Sequence, residues 1–81
     1  MSGIFNSEVT ISDSGFLFDH GTGLTYSLNE TGQFIFTKMK EEVHANKMLE
    51  LIMEEFDINE ETARKDIDDF YRQLKEAGLI D

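Results

Sequence analysis

The spacing of apolar residues changes once along this chain, near Asn29. Before it, Phe5, Val9 and Ile11 share one parity, as in a strand with one covered face. Asp13-Ser14-Gly15 supplies turn chemistry ahead of Phe16-Leu17-Phe18. A second turn follows at Asp19-His20-Gly21-Thr22-Gly23, whose glycines permit positive φ. Leu24, Tyr26 and Leu28 then alternate with Thr25 and Ser27, which predicts a third strand with one face buried. The simplest arrangement is a meander of three short antiparallel strands.

After Asn29 the period lengthens to that of a helix. Asn29 can cap the first helix, with Glu30 at its positive end. Ile35, Phe36 and Met39, with Phe34 beside them, face inward. In the second helix Leu49, Ile52, Met53 and Phe56 draw one apolar stripe. The third is predicted to begin after Asn59, with Glu60 and Glu61 in its first turn. Ala63, Ile67, Phe70, Leu74 and Ala77 form its buried line, and Gly78 stops it. Leu79 and Ile80 can fold back onto the core. Three strands followed by three helices predict an α+β fold, with the helices packed over one face of a small sheet. The third strand holds neither Pro nor Lys, so its own sequence does little to guard it if it lies at an edge.

Eighty-one residues suit a single domain spanning 1–81. The chain is 40% hydrophobic and contains seven Phe, enough for a core. It has no Cys, so packing alone must stabilise the fold. Its first residues show no basic stretch followed by a long apolar run, and no apolar run is long enough to span a bilayer. A cytoplasmic domain is expected. The net charge of −10, from 17 acidic and 7 basic residues, disfavours nucleic acid and anionic membrane as partners. The same acidity also serves solubility.

Catalytic chemistry is hard to assemble from these residues. His20 falls in a turn and His44 just before a helix, with no carboxylate at a metal-site spacing from either, so turn or cap roles suit them better. No Ser stands in a nucleophile elbow, and Gly21-Thr22-Gly23 lacks the Lys and longer glycine pattern of a phosphate loop. Asp57, Asn59, Glu61 and Asp68 fall at calcium-loop spacings, but Thr62 stands where that loop needs Gly and Asp68 where it needs Glu. The carboxylates are scattered along helix faces without an isolated pair. The expectation is no enzyme, no metal and no cofactor. Tyr71 flanks the buried line of the third helix, near Arg64, Asp68 and Lys75. It can pad the edge of the core or face a partner.

The stretch GTGLTYSLNETGQFIFTKM, the second amphipathic helix ending in EEFD, and KDIDDFYRQLKEAGLID together resemble the PqqD-like family. Its members are peptide-recognition domains of ribosomal peptide-modification pathways. The resemblance runs from about Val9 to Ile80. It is carried by Leu28-Asn29 with Thr31-Gly32, then by Asp66 to Phe70 followed by Leu74 and Gly78-Leu79-Ile80. It implies a winged-helix-like domain that binds the leader of a precursor peptide as an added strand, between the third strand and the third helix. Leu24, Thr25, Tyr26, Ser27 and Leu28 would then offer the edge. Arg64, Ile67, Asp68, Tyr71 and Lys75 would be candidates for the opposite wall. The resemblance also admits a peptide-modifying enzyme as a second partner.

Two rival functions follow from the same features. Winged-helix folds often bind DNA through one helix, but between Asn59 and Ala77 acidic residues outnumber basic ones, which suits a groove-reading helix poorly. An edge open to a peptide is also open to another copy, so a self-associating structural module is the other alternative, and the expected state of the chain is monomer or homodimer.

Overall fold

The computed structural model describes residues 5–80, so the first residues read for a targeting segment lie outside it. Strands β1 (Val9–Ile11), β2 (Phe16–Asp19) and β3 (Thr25–Ser27) are followed by helices α1 (Glu30–Lys40), α2 (Ala45–Phe56) and α3 (Glu60–Glu76). The sheet is antiparallel in the order β1-β2-β3, which leaves β3 at one edge. This is the expected α+β, winged-helix-like arrangement.

The register sorts the sheet into two faces. Directly opposed residues share a face, so Val9, Ile11, Leu17 and Tyr26 lie on one side and Thr10, Phe16, Phe18, Thr25 and Ser27 on the other. Val9 and Leu17 are fully buried beneath the helices, while Phe16 and Phe18 stand exposed on the outer face. Leu24 was expected on a buried face but is 54% exposed. Tyr26 and Leu28 are half-buried.

The helices start and stop where local chemistry permits. The Asn29 Oδ1 accepts from the Gly32 N–H at 2.7 Å, and the Asn59 Oδ1 from the Thr62 N–H at 2.8 Å. Helix α3 ends as expected at Gly78, whose φ is +77°. There the Gly78 and Leu79 amides donate to the Lys75 and Leu74 carbonyls, and Leu79 is turned back into the core. Helix α1 ends in the same motif, but with Glu42 in the left-handed position.

Ile35, Phe36, Met39, Ile52, Ala63, Phe70, Leu74, Leu79 and Ile80 join Val9 and Leu17 in one buried cluster. Burying a side chain of this size contributes about 1.5–3 kcal/mol. Met48 is also fully buried, although the expected stripe of α2 left it out. That stripe has its centre at Ile52 and its shoulder at Leu49, Met53 and Phe56, and Phe56 packs edge-on to Phe34 of α1 at 5.6 Å. The segment Asp57–Asp68 is mostly helix rather than a calcium loop. Asp57 ends α2, Asn59 caps α3, and Glu61 and Asp68 lie within α3.

Asp19 is the buried acidic residue among the described residues. Its carboxylate accepts from the Ser7 hydroxyl at 2.7 Å, the Gly21 amide at 2.9 Å and the Thr22 hydroxyl at 3.0 Å. The Ser7 bond, with help from Gly21 and Thr22, holds the carboxyl below its ordinary range against the opposing effect of burial. The β2–β3 turn is therefore built around this side chain and tied to the segment before β1. His20 belongs to the same turn, where its Nε2 lies 3.0 Å from the Thr10 hydroxyl and its ring packs edge-on to Phe18.

Candidate functional site

In an antiparallel pair, residues alternate between bonding to the neighbouring strand and pointing away from it. The Leu28 amide donates to the Gly15 carbonyl, and the Leu24 carbonyl accepts from the Asp19 amide. Leu24 and Leu28 thus bond toward β2, and by alternation so does Tyr26, which stands opposite Leu17. Thr25 and Ser27 have the other parity. Their N–H and C=O groups point away from β2, along the free edge of β3.

A helix lies beside that edge. Two adjoining hollows run between β3 and α3. One, of about 320 Å³, is lined by Leu17, Thr25 to Leu28, Phe70, Gln73, Leu74, Ala77 and Leu79. The other, of about 490 Å³, continues past Ser27 and Leu28 to Asn29, Thr31, Gly32 and Ile35, with Asp66, Asp69, Phe70 and Gln73 opposite. The order of lining residues shows that α3 runs antiparallel to β3. Gly32 lets α1 approach α3 closely, since a Cβ there would lie 3.2 Å from the Phe70 ring.

The structure brings the strand residues Thr25, Tyr26, Ser27 and Leu28 into this cleft, with Leu24 just beyond its end. It places the expected wall residues differently. Arg64, Ile67 and Asp68 line a smaller hollow of about 140 Å³ against Ala45, Asn46 and Leu49 of α2. Arg64 is already paired with Glu60, its Nη2 2.8 Å from the carboxylate. Tyr71 is half-buried against the core, and burial pushes its phenol pKa up. Lys75 is exposed and lines none of these hollows.

The helix period gives the reason. Arg64, Asp68, Tyr71 and Lys75 lie on one flank of the buried line of α3, while Asp66, Asp69, Gln73 and Ala77 lie on the other. The second flank faces β3. Its polar residues were visible at spacings of three and four beside the apolar line. Among the described residues, no group of three or more His, Cys, Asp and Glu is arranged to hold a metal ion.

The profile of the family described as "Coenzyme PQQ synthesis protein D (PqqD)" matches residues 15–80. The chain belongs to the PqqD family. The match takes in β2, β3 and all three helices, and hence both walls of the cleft. A solved structure described as "TbiB1 in Complex with the TbiA(beta) Leader Peptide" shares the fold with a TM-score of 0.82. At 22% identity, the likeness covers 96% of this PqqD-family chain and 93% of that one. No curated protein matches the chain. Among the described residues, no helix is long and apolar enough to cross a membrane.

Proposed function

We propose that this PqqD-family domain captures the leader of a ribosomal precursor peptide by strand addition and presents it to a modifying enzyme, without catalysing a reaction itself. The observation that carries this reading is the outward parity of Thr25 and Ser27 beside an open cleft. Four main-chain groups there can bond an extended chain, while alternate side chains of that chain drop toward α3. Membership of the family supports the reading, and the related TbiB1 structure holds a leader peptide. Neither the edge nor the hollows require a reactive side chain for this task.

The test starts from any short reading frame found beside this gene. A synthetic peptide covering its N-terminal half is titrated into isotope-labelled protein. Shift changes should concentrate on Thr25 to Leu28 and on Phe70 to Ala77. Saturable changes confined to the outer face around Phe16 and Phe18 would overturn strand addition. Light scattering on the same samples separates peptide capture from pairing of two copies through the same edge.

A further inference from the structure

Resting on strand addition at β3, we propose that the cleft selects a peptide carrying Lys or Arg two residues from a bulky apolar side chain, with Asp66 as the residue that reads the cation. In an added strand, the side chains opposite Tyr26 and Leu28 point to the same face as those residues, toward α3. They stand two residues apart, roughly 7 Å along the strand. This spacing delivers one side chain to each hollow.

The two hollows differ in chemistry. Opposite Tyr26 the helix offers Leu74 and Ala77, which suit a branched or aromatic side chain. Opposite Leu28 it offers Phe70, with Asp66 and Asp69. Asp69 is engaged by Lys65 at 3.3 Å and Arg72 at 3.2 Å. Asp66 is half-buried and makes no ion pair within the described residues. All seven Lys and Arg fall within the described residues, and none lines either hollow. A long basic side chain can lay its methylenes on Phe70 and Leu28 and extend its charged head to Asp66. An acidic side chain in the same place would meet the unpaired carboxylate of Asp66, with no Lys or Arg lining the hollow. In a peptide antiparallel to β3 the cation precedes the apolar residue; in a parallel one it follows.

The test is a selection of displayed random twelve-residue peptides on the immobilised domain, run in parallel on D66N, S27P and the exposed control E55Q. Selected peptides should show a basic residue two positions from an apolar one. For a purified binder, D66N should weaken affinity about ten-fold, the scale of one charged hydrogen bond. Replacing the peptide's basic residue by norleucine should do the same, and combining the two changes should add little. E55Q should match the parent. Binders that S27P weakens, but that show no basic preference or no response to D66N, would overturn the inference and leave strand addition standing. Absence of binders, or binders indifferent to S27P, would overturn both.

Discussion

Replacing Ser27 by Pro removes one N–H from the free edge of β3 and none from the bonds to β2. The same replacement at Tyr26, one residue away, removes an N–H aimed at Leu17 and places a ring inside the β2–β3 pair. S27P and T25P should therefore leave the free protein folded. Each should weaken a bound peptide by one hydrogen bond, about 0.5–1.5 kcal/mol, rising to about 3 kcal/mol where a peptide carbonyl loses its donor. That corresponds to about two-fold at the least and about 150-fold at the most in Kd. Y26P should cost about 1–3 kcal/mol in stability, because it leaves the Leu17 carbonyl without its donor. At 81 residues the whole domain is expected to hold only roughly 4–12 kcal/mol, so part of that reserve would go. Y26V, which keeps the N–H, separates loss of the ring from loss of the bond. Hydrogen exchange on the free protein checks the parity without any ligand: the Tyr26 and Leu28 amides should exchange slowly, and those of Thr25 and Ser27 fast. Circular dichroism then reports folding, and titration with a selected peptide reports affinity. Slow exchange at Thr25 and Ser27, or full affinity in a folded S27P, would refute the assignment of the edge.

The other expectations concern stability. The Asp19 carboxyl is held low in the folded state, so its contribution is complete at neutral pH and is lost as pH falls below the usual carboxylate range and through its folded pKa. The stability gap between D19N and the parent should accordingly shrink in acid; a constant gap in denaturant titrations from about pH 7 to about pH 2 would contradict this. His44 occupies the N-cap of α2 without a side-chain bond, so H44S should raise stability by about 1 kcal/mol in urea unfolding. Glu42 stands at φ +63°, where a side chain is strained, so E42G should stabilise by up to about 1 kcal/mol, and a loss would show the side chain is needed. Y71A should cost about 1–2 kcal/mol of stability while leaving affinity for a selected peptide unchanged, because Tyr71 packs on the flank of α3 away from the cleft.

The strand and helix order was legible because period two gives way to period 3.6 at one point, and because Asn29, Asn59 and Gly78 mark boundaries by local chemistry alone. The edge strand was legible for the same reason: a meander of three strands must leave its third at an edge. The parity of that edge was not, since alternation says which residues share a face but not which bonds point outward. The buried line of α3 was also correctly placed, yet its two flanks look equivalent on a helical wheel. Which one meets β3 depends on the side from which α2 packs, a property of the assembled fold. Tyr71 beside Arg64 drew attention to the flank that α2 occupies. Met48 shows the same limit on a smaller scale: the stripe through Ile52 was right, but packing centred α2 one residue earlier.

The two ends of the described chain are fastened to each other. Phe5 pairs with Ile80 in an isolated antiparallel bridge, and the Asn6 amide donates to the Leu79 carbonyl at 2.7 Å. The Asn6 side chain adds a bond to the Gly78 carbonyl, 72 positions away in sequence. Closing a loop of that length costs on the order of 4 kcal/mol in chain entropy if nothing between is yet ordered. The clasp therefore forms cheaply only after the strands and helices have assembled, and it belongs late on the folding route. Its geometry also sets how the protein yields to force. A pull applied at Phe5 and Ile80 loads their bridge first, then the bonds at Asn6, one after another, as a zipper opens. Under tension this domain should open that bridge first, and Ile80 should leave the buried cluster as it does.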